Sequence, residues 1–438
     1  MWMSRIREIW AADSLRGRFA RGAVWSLIGA LVSQGASLAA SVLTARLLGR
    51  EQFGEYGMLQ STVGMFGVFA GMGLGLTATK YVAELRGTDP DRAGRIVALS
   101  TAVAMITAAV AAVVLVAAAP WLASVTLSAP QLTTELRIAG GVLFLNALNG
   151  AQTGALAGFE SFRAIARVNL IRGLLTFPLA AGGVWLWGLR GAVLALVATA
   201  GAGWLLNHAA IRQACRAHGV KVRWAGCWED RGILWKFSLP AFLGGAMTSP
   251  AMWVASSILV HQPHGYAEMG VFSAANQWRT AVVFLPSLLS QPLLSMLSNV
   301  GAGNSARFKK LVRVNLLLTL GVSVAVAAPI VVCAPWIMQA YGRGFGAGRP
   351  VLVLLVLATV ISATASVIGQ AIASLDRMWW GFHLNAIWAL VLLGSAVLLV
   401  PRFGAMGLAG AFLASYTVHA VTVSTYLRVQ FSRHVGRG

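Results

Sequence analysis

An arginine lies deep within an apolar stretch of this sequence. Arg279 falls about ten residues into the apolar run 270–297, which corresponds to a depth of about 15 Å in a membrane-spanning helix. An unpaired charge at that depth costs at least about 2.5 kcal/mol in lipid, so the side chain should face protein or a wet cavity. Asn276 lies one helical turn away, and Gln277 is close by in sequence. We hypothesise that these three residues bind an anion in a central cavity.

Arg279 also has a structural alternative. In it, the guanidinium bonds to helix-end carbonyls or to the carboxylate of Glu55 or Glu268. Arg172 is a second candidate for the cavity, but it lies within about one turn of the inner membrane surface. A snorkelling side chain that sets the topology explains Arg172 equally well.

Uncharged polar residues recur inside the apolar runs. Asn146, Asn149 and Gln152 are spaced by three, so they point roughly one way along a helix. As a set, such residues predict a hydrated interior, although helix–helix hydrogen bonding explains any one of them as well. The expected substrate-contacting set is completed by Asn146, Asn149, Asn169, Asn385, Gln34, Gln60 and Lys80.

The acidic residues argue against an enzyme. All 13 Asp and Glu residues fall in or near predicted loops, so paired carboxylates for acid–base chemistry and an embedded proton relay are missing. No G-x-x-x-x-G-K-[ST] phosphate loop occurs. The three cysteines give no disulfide framework. We expect a protein without enzymatic activity, metal or cofactor.

The elements that must position these residues are membrane-spanning helices. The chain is 58% hydrophobic and only 11% charged, whereas a soluble protein has about a quarter charged residues. Each apolar run is long enough to cross a bilayer. The predicted spans are 22–48, 53–78, 94–118, 136–157, 168–188, 191–211, 237–260, 270–297, 311–333, 351–374, 379–400 and 405–426.

An internal duplication organises these spans. The triplet Ala119-Pro120-Trp121 recurs as Ala334-Pro335-Trp336, and Gly188 and Gly191 are matched by Gly404 and Gly407. Because each copy holds an even number of spans, the copies are parallel and related by an axis along the membrane normal. The sequence therefore predicts an all-α integral membrane protein with about twelve helices, six in each of two parallel copies.

The net charge of +21 reflects topology rather than a nucleic-acid partner. Most Lys and Arg residues fall in segments on one side of the predicted membrane, which the positive-inside rule places in the cytoplasm together with both termini. The domain boundaries follow from this topology. They are 1–20, an amphipathic cytoplasmic segment; 21–211, the N-terminal bundle; 212–236, a basic cytoplasmic linker; 237–427, the C-terminal bundle; and 428–438, a cytoplasmic tail.

Prolines interrupt two consecutive spans at the start of the second copy. Pro250 lies in the seventh predicted span, and Pro286 and Pro292 lie in the eighth. Proline removes a backbone hydrogen bond and kinks a helix. We interpret these residues as hinges of an alternating-access movement, with static kinks as the alternative.

Four segments carry a resemblance to a known family. The hairpin 44–57 (TARLLGREQFGEYG) looks like the loop joining the first two helices of Wzx-type polysaccharide flippases, and the following segment 78–85 also resembles these flippases. The segment 187–192 and its echo 403–408 are similar to them as well. Those flippases belong to the multidrug/oligosaccharidyl-lipid/polysaccharide exporter (MOP) superfamily.

The resemblance implies a fold of two parallel six-helix bundles around a central cavity, and it also implies a function and a location. It implies that the chain moves an undecaprenyl-diphosphate-linked oligosaccharide from the inner to the outer leaflet of the bacterial inner membrane, for O-antigen or exopolysaccharide synthesis. The partners implied are membrane lipids, a polysaccharide polymerase and export proteins. Three alternatives remain: a multidrug exporter of the same superfamily, a major-facilitator permease and, from a different class, a membrane glycosyltransferase or polysaccharide polymerase. The segment 87–95 fits the G-x-x-x-D-R-x-G-R pattern of major-facilitator permeases.

Overall fold

The computed structural model describes residues 15–238, 242, 246–300, 305–373 and 378–435, and helices make up nearly all of them. Residues 1–14 of the expected N-terminal segment and residues 436–438 of the expected tail therefore lie outside the described residues. In chain order the α-helices are α1 Leu15–Gly71, α2 Leu74–Leu85, α3 Pro90–Trp121, α4 Thr133–Gly158, α5 Phe162–Ala217, α6 Thr248–Val260, α7 Gly265–Val300, α8 Ser305–Val332, α9 Ala334–Ala340, α10 Arg349–Ala373 and α11 Met378–Val435.

Three helices are too long for a single crossing. Helices α1, α5 and α11 have 57, 56 and 58 residues, whereas about 20 residues span the hydrocarbon core. In each of them a glycine breaks the helical backbone, at Gly49, Gly188 and Gly404. Two helices are merged across each break, so α1, α5 and α11 each account for two of the predicted spans.

The glycine breaks in α5 and α11 repeat each other closely. Gly188 has φ 54° and ψ −133°, and Gly404, its match in the sequence repeat, has φ 54° and ψ −129°. The positive φ is accessible to glycine at little steric cost. Near the first break, a Cβ on Gly191 would overlap the Gly183 carbonyl oxygen. Near the second, a Cβ on Gly407 would overlap the carbonyl oxygen of Leu399 in the same way.

The chain groups into two compact units that do not follow the repeat. Described residues within Met1–Ala40, Phe69–Val116 and Arg137–Ala241 form the first unit. Those within Ser41–Val68, Ala117–Leu136 and Phe242–Gly438 form the second. Part of the first sequence copy therefore belongs to the second unit. The domain boundaries expected from the repeat stay a prediction.

Within the second unit, α1 and α7 meet backbone to backbone. A Cβ on Gly54 would overlap the Tyr266 carbonyl oxygen, and a Cβ on Gly270 would overlap the Arg50 carbonyl oxygen. The contact is reciprocal, because each glycine lies against the residue four positions before the other. Two glycines thus allow the helix backbones to approach closely, as small residues do in membrane proteins.

Charged side chains surround this crossing. Arg50 pairs with Glu268 at 3.3 Å, and the second carboxylate oxygen of Glu268 accepts the backbone N–H of Ala405 at 3.0 Å. Arg46 Nε donates to the carbonyl of Ala340 at 2.6 Å. Glu268 therefore joins α7 to α1 and to the start of the last span, just after the Gly404 break.

We expect Gly54→Ala to destabilise the protein. The added methyl group meets the Tyr266 carbonyl, which is backbone and cannot rotate away, and overpacking of this kind costs about 1–3 kcal/mol. The matched control is Gly64→Ala in the same helix, where a Cβ meets nothing within 4 Å. Thermal unfolding in detergent should show a lower Tm for Gly54→Ala and an unchanged or higher Tm for Gly64→Ala. Equal Tm values for the two variants would contradict the close helix crossing.

Candidate functional site

Arg279 lies on α7 among neutral partners from three helices. Its Nε donates to Thr359 Oγ1 at 3.2 Å, on α10. One Nη donates to Asn276 Oδ1 at 3.2 Å, one turn back on α7. The other Nη donates to Tyr416 Oη at 3.1 Å, on α11. A guanidinium carries five N–H donors, so these three bonds leave donors available for another ligand.

Two aromatic rings lie beneath the guanidinium. Its central carbon is 5.1 Å from the Phe412 ring centroid and 5.6 Å from that of Tyr416. Both distances are within the range of a cation–π interaction. Phe412 and Tyr416 are four residues apart on α11 and therefore share one face. The rings orient Arg279 without neutralising its charge.

The partners of Arg279 are themselves held in place. Thr359 is fully buried and donates its hydroxyl proton to the Leu355 carbonyl at 2.6 Å, which leaves its lone pairs to accept from Arg279. Tyr416 packs against Trp388 with ring centroids 5.4 Å apart. Phe412 packs against Phe272 at 5.7 Å. The guanidinium is thus preorganised before any ligand arrives.

The structural alternative that paired Arg279 with an acid is wrong. In the described part of the chain Glu268 pairs with Arg50, and Glu55 accepts a hydrogen bond from Gln131 Nε2 at 2.8 Å. None of the ion pairs found there includes Arg279. No acid among the described residues therefore balances the positive charge at this site. Asn276 contacts Arg279, whereas Gln277 is not among the hydrogen-bond partners found for Arg279 in the described part of the chain.

A second polar cluster lies in the first unit. Asn149 Nδ2 donates to the Ala200 carbonyl at 2.9 Å, and Asn207 Nδ2 donates to Asn149 Oδ1 at 3.0 Å. Arg172 passes nearby, because a Cβ on Gly203 would lie 3.0 Å from Arg172 Cδ and 3.4 Å from Asn149 Oδ1. Both asparagines are buried. Their hydrogen bonds therefore connect helices, which is the alternative given above to lining a hydrated interior.

The other expected substrate-contacting residues are dispersed. Asn146 and Asn169 are exposed, and Ser33 bonds to the backbone carbonyl of Asn169. Lys80 is exposed and lies 5.2 Å from the Tyr81 ring centroid. The half-buried members of the set are Gln34, Gln60 and Asn385. A role in substrate binding stays a prediction for each of them.

The three candidate hinge prolines occupy different environments. Pro250 lies in the first turn of α6, whose N-cap is Met247, and an N–H at that position would have no partner within the helix. Pro286 is buried well inside α7, where proline removes the donor that would serve the Val282 carbonyl. Pro292 follows in α7, and its side chain lies outside the described part of the chain. Their hinge role stays a prediction.

Comparison with known proteins adds independent findings. Residues 19–298, more than half of the chain, match a family model described as "Polysaccharide biosynthesis protein". The chain is 26% identical over 412 residues to the "EPS I polysaccharide export inner membrane protein EpsE" of Ralstonia nicotianae, covering 92% of each chain. It is 24% identical over 417 residues to the protein of that name from Ralstonia solanacearum, covering 91% of each.

Solved structures of similar fold are transporters. One is described as an inward-facing multidrug resistance MATE family transporter of the MOP superfamily, with TM-score 0.75, 17% identity and coverage of 94% of this chain and 98% of that one. Another, a MOP superfamily transporter from Pyrococcus furiosus, gives TM-score 0.71, 16% identity and 97% coverage of both chains. These matches confirm the resemblance found in the sequence and the all-α fold. The relatives are named as export proteins, in agreement with the expectation that the chain is not an enzyme.

We expect Asn149→Ala to destabilise the first unit. The substitution removes the acceptor of Asn207 and the donor to Ala200, and leaving buried polar groups unpaired costs about 1–2 kcal/mol. The control is Asn146→Ala, one turn away on α4 and exposed. Chemical or thermal unfolding of the purified protein in detergent should show the loss for Asn149→Ala only. Equal losses for both variants would argue that the buried pair adds nothing to stability.

Proposed function

Because the chain belongs to the polysaccharide biosynthesis protein family, we propose that it is a flippase that carries an undecaprenyl-diphosphate-linked oligosaccharide from the inner to the outer leaflet by alternating access. The names of the Ralstonia relatives support a role in polysaccharide export across an inner membrane. We place both termini of this chain in the cytoplasm on the distribution of its cations. The same proposal places it beside a polysaccharide polymerase and export proteins.

The preorganised guanidinium of Arg279 carries this proposal. A diphosphate has several negatively charged oxygens that must leave water to cross a low-dielectric region, and an opposite charge offsets that cost. Arg279 has spare donors and no acidic partner among the described residues. Its neutral acceptors hold the group in place and leave the charge for the cargo. A cationic drug, the cargo of the multidrug alternative, would be repelled here.

Alternating access requires helices that can separate and close again. The crossing of α1 and α7 at Gly54 and Gly270, with the Arg50–Glu268 ion pair beside it, is a candidate closing contact on the outer side. It uses backbone contact and one half-exposed ion pair, and both are made and broken at modest cost. Pro286, further along α7, supplies the expected hinge within the same helix.

Removing the charge of Arg279 should abolish most transport. We expect Arg279→Gln to lower the rate of lipid-linked oligosaccharide transfer about ten- to a hundredfold, the loss typical of a hydrogen bond to a charged group. Arg279→Lys should retain part of the rate, because it keeps the charge without the planar fork. Transfer into the outer leaflet of reconstituted vesicles measures this effect. The control is Arg343→Gln, which changes an exposed arginine. Wild-type rates in both Arg279 variants would refute the proposed role.

Deletion of the gene separates the flippase from its alternative. Mass spectrometry of extracted lipids should find a diphosphate-linked oligosaccharide that accumulates on the inner leaflet, together with loss of surface polymer. Complementation with Arg279→Gln should not restore the polymer, whereas Arg343→Gln should. A normal lipid-linked pool with altered efflux of a small cation would instead favour a multidrug exporter.

The two prolines should differ in their effect on turnover. Pro286→Ala restores a backbone donor in the interior of α7 and should slow turnover several-fold by straightening the helix. Pro250→Ala lies in the first turn of α6 and should change the rate much less. Transport rates at equal protein level test this difference. The reverse order would move the hinge to α6, and unchanged rates in both would mean that neither proline is a hinge.

A further inference from the structure

A short segment between α5 and α6 lies across the end of the first unit. We call residues 218–235 the strap. Val220, Cys227 and Ile233 are its buried side chains, and they join the core built by α3, α4 and the end of α5. The strap is therefore folded against the unit along its length.

An acidic residue fixes the strap to the start of α3. Asp230 Oδ1 accepts from Arg92 Nε at 2.9 Å, and Oδ2 accepts from Arg95 Nε at 3.4 Å. The Asp230 side chain is only 9% exposed, so its charge is balanced by these two arginines. A Cβ on Gly94 would overlap the Lys221 carbonyl oxygen, so the strap approaches the α3 backbone closely. The segment 87–95, which fits a pattern of major-facilitator permeases, thus fixes the strap to the start of α3.

The outward side of the strap is apolar and aromatic. Val222, Trp224, Trp228 and Trp235 are exposed, and Trp235 keeps 73% of its surface accessible. Three exposed tryptophans within twelve residues are unusual for a surface that faces only water. Indole rings are enriched at membrane–water interfaces, where the ring meets hydrocarbon and the N–H meets headgroups.

The strap also carries cationic side chains. Lys221 and Arg231 are exposed, and neither has an ion-pair partner in the described ranges. Arg223 is exposed and pairs with Asp91 at 3.4 Å. The exposed acid on the strap itself is Glu229, because Asp230 is already neutralised.

We propose that the strap is a binding surface for anionic phospholipid headgroups of the leaflet on which it lies. The strap connects two predicted spans, so it lies near the membrane surface. Trp224, Trp228 and Trp235 enter the headgroup layer, and Lys221 and Arg231 contact the lipid phosphates. Asp230 then links the bound lipid to α3. This surface is separate from the Arg279 site and does not depend on the identity of the transported cargo.

Spin labelling of the full chain in vesicles tests the proposal. We place a nitroxide at Ala225→Cys, an exposed position on the strap, with the exposed Cys333 changed to Ser. Collisions with oxygen, which is enriched in lipid, and with a water-soluble nickel chelate report where the label lies. We expect the nickel accessibility to fall and the oxygen accessibility to rise as phosphatidylglycerol replaces phosphatidylcholine. High salt should reverse part of this change.

Two double variants identify the groups responsible. Each cation near an anionic surface strengthens binding by about fivefold, so Lys221→Gln with Arg231→Gln should weaken the response to phosphatidylglycerol about twenty-five-fold. Trp224→Ser with Trp228→Ser should raise nickel accessibility in both lipids. The matched controls, Arg343→Gln and Trp336→Ser, change an exposed arginine and an exposed tryptophan far from the strap in sequence and should change neither measurement. Unfolding temperatures verify that every variant is folded.

A water-facing strap would give the opposite result. High nickel accessibility that is equal in both lipids, in a protein of unchanged Tm, would overturn the proposal. It would indicate a surface of the kind that binds a soluble protein. Lipid contact that does not respond to phosphatidylglycerol, salt or the cation variants would also overturn it, because the proposed ligand is the anionic headgroup. Neither outcome bears on the Arg279 transport assay.

Discussion

A guanidinium cannot shed its charge, and this constraint shapes the candidate site. A lysine or carboxylate in an apolar region can become neutral, whereas arginine remains protonated at any pH the cell experiences. The protein must therefore supply hydrogen-bond acceptors to Arg279, and these acceptors can be either negatively charged or neutral. Thr359, Asn276 and Tyr416 supply oxygen acceptors without negative charge. None of these three partners carries a negative charge that would cancel that of Arg279.

Two acids of the second unit, Glu268 and Glu55, are engaged elsewhere. Glu268 joins Arg50 to the N–H of Ala405, and Glu55 is bonded to Gln131. Glu268 thus stabilises the crossing of α1 and α7 and the start of the last span, where an exposed N–H group and partial positive charge favour a carboxylate. Glu55 instead accepts from the side-chain amide of Gln131. Because these two carboxylates bond to other groups, the positive charge of Arg279 can attract an anionic ligand. The whole chain contains only 13 acidic residues.

Properties that follow from local pattern were readable in the sequence. Apolar runs predicted the spans, the depth of Arg279 made it a candidate site residue, and the repeat match of Gly188 with Gly404 reappears in their nearly equal backbone breaks. Contacts between distant helices were not readable. Thr359, Phe412 and Tyr416 look like ordinary residues of apolar helices, and only their tertiary positions bring them to Arg279. The proposed partnership of Arg279 with Glu55 or Glu268 failed for the same reason, since sequence does not reveal which helix faces meet. The spacing of Phe412 and Tyr416 on one helix face was the one signal available.

The glycine breaks in α5 and α11 have a mechanical consequence. At Gly183 and Gly191, and again at Leu399 and Gly407, the two arms of each long helix touch through their backbones. The atoms in closest contact at these points belong to the backbone, which cannot change rotamer. We therefore expect the two arms of each long helix to move together, because backbone contact holds them against each other next to the glycine break. In the alternating-access cycle proposed above, we therefore expect the motion to fall to the helices that lack such a contact.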